Sequence, residues 1–303
     1  MNILITGAWQ QAAEHIPQIK KAHEVAFLQF ERDELPCDPA WVEGIIGNGL
    51  LLSHPIEQFV NLKYIQLTSA GFDRVPMDYV KAHGITINNA RGVYSIPMAE
   101  YALSGVLALY RKLDFFMENK KNRSWEKERS LRELCGKTVC VFGCGSVGSE
   151  CAKRFAAMGC TVIGVDPFVN EQNGFSRIYR ADKAEQVLGD SDVVIITLPL
   201  TEETRYMFDA KLLSSIKTGA VLVNIARGAL VDTEALLMEL KVGRIGAVLD
   251  VFEEEPLSPE SELWGLENVI LTPHNSFVGE GNGKRMSDVI MRNLAVLDSI
   301  DNR

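Results

Sequence analysis

The stretch VCVFGCGSVGSECAKRFAAMGCTVIGVD, residues 139–166, decides the fold. It opens on an apolar run with the look of a buried strand. Gly143, Gly145 and Gly148 follow in the spacing GxGxxG. A helical pattern covers residues 149–158 and stops at Gly159. A second apolar run then ends at Asp166, 18 residues past Gly148. The glycine spacing alone is weak, because glycines cluster in many turns. Strand, glycine turn, helix and strand in that order are specific for a dinucleotide site. The glycines permit a tight turn and a close approach of the pyrophosphate. Free N–H groups at the helix start then meet its negative charge. Asp166 accepts hydrogen bonds from the adenosine ribose. Its charge repels a 2′-phosphate, so NAD is expected over NADP.

Outward from this stretch the alternation continues. TVCVFG, TVIGVD, DVVIITL, AVLVNIA, GAVLDVF and NVILT are six strand candidates, most of them separated by helical segments. One helix runs over 233–240, capped by Asp232. Six strands in two βαβαβ halves predict a Rossmann-type domain. Residues 1 to about 97 read as a smaller α/β unit with a mostly parallel, flavodoxin-like sheet. Its strand candidates are Asn2–Thr6, VAFLQF, GIIG, YIQLT and ITINNA. SIPMAEYALSGVLALYRKL predicts a helix over 98–113, with Pro97, a residue suited to helix starts, directly before it. Apolar residues on nearly every face of that helix predict burial on several sides, between domains or across a subunit interface. MENKKNRSWEKERS after it reads as an exposed connection. The tail is an amphipathic helix with Met286, Val289, Ile290, Leu294 and Leu297 on one side, expected to pack on the first domain. The expected division is 1–97 with 280–303 as the substrate domain and 98–279 as the cofactor domain.

Composition narrows the function. The chain has 303 residues, 31 basic and 40 acidic, a formal net charge of −9. That disfavours nucleic-acid binding, which needs a basic face. No apolar run is long enough for a membrane span, and the first residues lack a signal-peptide layout. None of the six cysteines forms a CxxC pair or has a histidine at zinc-ligand spacing, so no metal is expected. Free thiols in apolar stretches suggest a reduced, cytoplasmic protein.

Ligands of an open parallel sheet bind beyond the carboxyl ends of its strands. Arg227 follows AVLVNIA, the cluster Glu253, Glu254, Glu255 follows GAVLDVF, and His274 follows NVILT. A cation, a carboxylate and an imidazole at three strand ends suit hydride chemistry on a 2-oxo acid. Arginine offers a planar fork for the substrate carboxylate. Histidine can give a proton to the carbonyl oxygen, and a neighbouring carboxylate favours the imidazolium and orients the ring.

The chain resembles the D-isomer-specific 2-hydroxyacid dehydrogenases. The resemblance lies in VFGCGSVG with VDP, LPLTEETRYMF, VNIARGALVD, LDVFEEEPL and LTPHNS, in that order. It implies Arg227, Glu255 and His274 as the catalytic set, Glu255 being the glutamate directly before Pro256. It implies Ser146 and Val147 at the pyrophosphate, Pro199 and Thr204 along the adenosine side, and Ala226 and Asp250 among the cofactor contacts, Asp250 near the nicotinamide ring. TSAGFD is similar to the loop whose amides hold the substrate carboxylate, which points to Ala70 and Gly71. Loops near Trp9, Asn48 and Tyr94 are expected to shape the pocket. The family implies a homodimer through the 98–113 helix. Two positions depart from the pattern: Leu198, where many members have histidine or cysteine, and Asn275, where many have a small apolar residue. Formate dehydrogenases of this family pair the histidine with glutamine, where this chain has Glu255. The C-terminal-binding-protein corepressors share the fold and form a non-enzymatic alternative.

Overall fold

The computed structural model describes residues 1–301, with side chains to residue 299. The chain divides into two compact units, Met1–Tyr94 with the segment from Gly279 onward, and Ser95–Val278.

The first unit is a five-stranded sheet: β1 (Asn2–Thr6), β2 (Glu24–Leu28), β3 (Gly44–Gly47), β4 (Tyr64–Leu67) and β5 (Thr86–Asn88). Every pairing is parallel, and the order is β2-β1-β3-β4-β5, the flavodoxin-like order. Strand side chains alternate between faces. Ile3 and Ile5 join one core, and Leu4 joins the other. Both faces are therefore covered, as an all-parallel sheet requires. Helices α1 (Ala12–Ile19), α2 (Leu50–Ser53) and α3 (Met77–Ala82) lie between the strands in the chain.

The second unit begins with helices α4 (Ser95–Tyr110) and α5 (Leu113–Asn122). Its strands are β6 (Thr138–Phe142), β7 (Thr161–Val165), β8 (Arg177–Tyr179), β9 (Val193–Ile196), β10 (Val221–Asn224), β11 (Gly246–Leu249) and β12 (Val269–Leu271). Its further helices are α6 (Ser146–Ala157), α7 (Ala184–Gly189), α8 (Ala210–Ser214) and α9 (Thr233–Lys241). The sheet order is β12-β11-β10-β9-β6-β7-β8, all parallel. Counted from β6 this is the dinucleotide-binding order 3-2-1-4-5-6 with one strand more at the far edge. Connections run to one side from β6 through β7 to β8, then reverse to β9. The switch point therefore lies at the carboxyl ends of β6 and β9. The last helix, α10 (Asn282–Asp301), belongs to the first unit. Its Met286, Val289, Ile290 and Leu294 are buried in the core that holds Ile3 and Ile5.

Several expectations need correction. The sheet has seven strands, not six. The unforeseen one is β8, a three-residue edge strand with only Ile178 and Tyr179 to mark it. The single helix over 98–113 is two. It starts at Ser95, ends at Tyr110, and restarts at Leu113 after Lys112 takes the left-handed φ of 49°. The first six of the fourteen residues read as an exposed connection, 117–122, are thus helical. The helix after the glycine turn starts at Ser146, three residues early, because the turn's last glycine is already helical. The unit boundaries fall at 94/95 and 278/279, where the sequence suggested 97/98 and 279/280. One side of α4 is seated on the second sheet, where Ala99, Ala102, Val106 and Tyr110 are buried with Val139, Val193 and Val248.

Candidate active site

The glycine turn leaves β6 at the switch point. Gly143 has φ +93°, and a Cβ there would lie 3.0 Å from the Thr197 carbonyl. Thr197, just past β9, donates its hydroxyl to the Gly143 carbonyl at 2.8 Å. At Gly148 a Cβ would lie 2.0 Å from the Gly143 oxygen, so no side chain fits between turn and helix. Gly145 differs. A Cβ there would meet nothing within 4 Å. The middle glycine thus faces open space beside the start of α6, where Ser146, Val147 and Gly148 form the first turn. A helix start leaves N–H groups outside its own ladder, and Gly145 has no side-chain cap to offer them. An open cradle of backbone beside a helix N-terminus fits a dinucleotide pyrophosphate.

Asp166, past β7, is 8% exposed. One carboxylate oxygen accepts the Cys144 N–H at 2.8 Å; the other accepts Phe168 N–H at 2.8 Å and Val169 N–H at 2.9 Å. It therefore ties the glycine turn to the loop after β7. A carboxylate has about four acceptor positions, so one remains for a ribose hydroxyl. Cys144 in the turn is a buried spectator, its thiol pushed up to about 12 by burial.

Strands β10, β11 and β12 are neighbours and end in line, Asn224 opposite Leu249 and Leu249 opposite Leu271. Their following loops therefore share one edge of the sheet. After β10, buried Asn224 accepts the Ala226 N–H and donates to the Arg227 carbonyl at 2.9 Å. Arg227 donates from Nη1 to the Ala226 carbonyl at 2.8 Å. At Gly228 a Cβ would lie 1.9 Å from the Phe252 carbonyl carbon. The Arg227 loop and the loop after β11 thus touch backbone to backbone, which only glycine permits.

In the loop after β11 the three glutamates separate. Glu253 accepts from the Thr233 hydroxyl and from the Tyr206 phenol at 2.7 Å, so it braces the outer loops. Glu255 accepts the Phe252 N–H on Oε1 at 3.0 Å. Its Oε2 lies 2.8 Å from His274 Nδ1. The imidazole and Glu255 are each about two-fifths exposed, so this pair meets solvent. The Phe277 ring stands T-shaped to the imidazole, 6.0 Å between centroids.

His274 has φ +50°, a conformation costing roughly 1–2 kcal/mol outside glycine. Asp250, fully buried at the end of β11, holds it there. Its carbonyl accepts the His274 N–H at 2.7 Å. Its carboxylate accepts the Asn275 N–H at 2.8 Å, the Ser276 N–H at 2.9 Å and the Thr272 hydroxyl at 2.5 Å. Hydrogen bonds to a charged group are worth about 1.5–3 kcal/mol each, so this collar outweighs the strain. Asp250 builds the histidine's turn, which its expected place near the cofactor ring did not suggest. Asn275 joins this collar by its backbone N–H, which any residue but proline offers, so the choice of asparagine has no structural explanation.

Other expected residues have structural duties. Thr204 donates to the Pro199 carbonyl at 2.7 Å and accepts the Thr201 N–H at 2.8 Å, closing the loop after β9. Leu198 is buried in the core. Ala70 and Gly71 lie in the first unit, beyond β4. Asn89 and Ser69 side chains take their carbonyls, at 2.5 and 3.0 Å. Trp9 is 1% exposed in the first unit's core and donates to Ser287 on α10 at 3.1 Å, because that amphipathic helix covers it. Asn224, Thr197, Thr272 and Gly228 were not foreseen. Of these, only Gly228 carried a signal, as the glycine directly after Arg227.

Residues 103–276 match the family described as D-isomer specific 2-hydroxyacid dehydrogenase, NAD binding domain. The glyoxylate reductase of Pyrococcus furiosus is 35% identical over 295 residues, 92% of this chain and 87% of that one. The chain belongs to the D-isomer-specific 2-hydroxyacid dehydrogenase family. A family protein of Aeromonas salmonicida has a similar solved structure, with a TM-score of 0.85 and 29% identity over 100% of this chain and 96% of that one. The D-3-phosphoglycerate dehydrogenase of Archaeoglobus fulgidus is 36% identical over 221 residues, 72% of this chain, but the match spans only 42% of that relative's length. As a family member this dehydrogenase is an oxidoreductase of 2-hydroxy acids with a Rossmann-type NAD-binding domain. Among the described residues, no helix is long and apolar enough to cross a membrane.

Proposed function

We propose that the chain reduces a small 2-oxo acid to a D-2-hydroxy acid with NADH, and catalyses the reverse reaction. The observation that carries this reading is the His274–Glu255 pair, 2.8 Å apart, two strand ends from Arg227 on the same sheet edge. Glu255 is itself anchored by the Phe252 N–H. It occupies Nδ1 and so leaves Nε2 as the imidazole nitrogen for substrate.

Bound NADH supplies a hydride to the carbonyl carbon. His274 gives its Nε2 proton to the carbonyl oxygen as negative charge develops there. Glu255 stabilises the imidazolium and fixes the ring, and Arg227 pairs with the substrate carboxylate. The Ala70 and Gly71 amides are read as further donors to that carboxylate. The cofactor is read along Gly143, Gly145, Ser146, Val147 and Gly148, with Pro199, Thr204 and Ala226 lining its path. Asp166 favours NAD, since a 2′-phosphate would meet its charge. The first unit is read as the substrate domain. A cytoplasmic homodimer built through α4 completes the reading.

Glu255 in place of glutamine favours 2-oxo acid reduction over formate oxidation. The relative's glyoxylate reductase name makes glyoxylate the first candidate in a panel. NADH absorbance followed over a 2-oxo acid panel, with chiral analysis of the product, tests the proposal. Steady NADH consumption with a D product is the expected result. NADH binding with no turnover across the panel overturns it and favours a nucleotide-sensing role.

A further inference from the structure

Behind His274 runs a chain of hydroxyls that the proposed chemistry does not use. The Tyr101 phenol oxygen lies 2.6 Å from Thr272 Oγ1, and Thr272 Oγ1 lies 2.5 Å from Asp250 Oδ1. A threonine hydroxyl has one hydrogen. The buried carboxylate takes it, so the phenol must donate to Thr272. Burial pushes the Tyr101 phenol up, which keeps its proton in place.

Tyr101 is mounted on α4, a helix of 16 residues. One turn further on, Gly105 lets α4 approach the sheet so closely that a Cβ would lie 2.6 Å from Val248 Cγ1. That approach brings the phenol of one face within reach of the loop after β12. We propose that Tyr101 is a positioning residue for His274, acting through Thr272 and Asp250. The inference rests on the reading of His274 as proton donor.

The reason lies in how Asp250 is shared. Its Oδ1 accepts both the Thr272 hydroxyl and the Asn275 N–H. Without the phenol, the Thr272 hydroxyl can turn to other acceptors, and the collar around His274 loses one of its three carboxylate bonds. The histidine's left-handed turn then relaxes, and the imidazole shifts against Glu255.

Tyr101→Phe keeps the ring and removes the hydroxyl. Its kcat is expected to fall about fivefold to tenfold, the weight of one hydrogen bond felt at the proton donor. NADH binding and the substrate KM should stay at wild-type values. Thr272→Ser, which restores the donor chain, should keep wild-type kcat, whereas Thr272→Val should lose as much as Tyr101→Phe. The His274 ring resonances, identified by their loss in His274→Ala, should move in Tyr101→Phe. Unchanged kcat with unmoved ring resonances overturns the proposal. So does a fall in kcat matched by equally weakened NADH binding, the mark of a folding defect. If wild-type protein binds NADH but reduces no 2-oxo acid, the functional reading fails, and the ring resonances alone still decide whether Tyr101 positions His274.

Discussion

The phosphate loop after β6 and the histidine loop after β12 sit at the same edge of one sheet but are built in opposite ways. The phosphate loop is shaped by what is missing. Gly143 and Gly148 omit side chains where backbones meet, and Gly145 omits one where the protein leaves open space. The histidine loop is shaped by what is added. One buried carboxylate, Asp250, gathers the Thr272 hydroxyl and the N–H groups of Asn275 and Ser276, while its carbonyl takes that of His274. Binding an anion by backbone needs only a turn of the right shape. Placing one imidazole in a left-handed conformation needs a partner from another strand.

That difference can be broken by substitution. Gly148→Ala drives a methyl into the Gly143 carbonyl, where nothing flexible can yield. The turn must open, and NADH affinity should fall roughly 100-fold, the worth of one or two hydrogen bonds to a charged group. Fluorescence titration would show it, and wild-type affinity would mean the turn is not the cofactor cradle. Asp166→Ala should act more weakly. It strips three backbone N–H groups of their acceptor but leaves the glycines in place. NADH affinity should fall about tenfold, and the preference over NADPH should narrow. Unchanged affinity for both cofactors in the same titration would separate Asp166 from the ribose.

The same contrast explains what the sequence disclosed. GxGxxG followed by an acidic residue is local, and its geometry is written in adjacent positions, so the cofactor half of the site was legible. The three strand-end residues Arg227, Glu255 and His274 were legible because apolar runs mark where strands stop. The structure adds that their strands are neighbours in the sheet. Asp250 was singled out, but for contact with the cofactor ring. Its bonds to residues 22 to 26 positions later form only once β11 and β12 pair. Tyr101, 171 positions from Thr272, left no trace in any motif. The break at Lys112 was hidden because a left-handed lysine has no sequence signature. β8 was hidden because an edge strand needs no apolar run. The burial of Trp9 was hidden because the helix that covers it lies at the other end of the chain.

The central claim is that cofactor binding and proton donation reside in separable loops of one sheet edge. His274→Ala, measured for NADH binding and 2-oxo acid turnover in parallel with wild type, tests it most directly. The account predicts wild-type NADH affinity with turnover reduced by about 10²–10⁴-fold, the usual weight of general acid catalysis. Turnover near the wild-type value, or binding and turnover lost together, would contradict it.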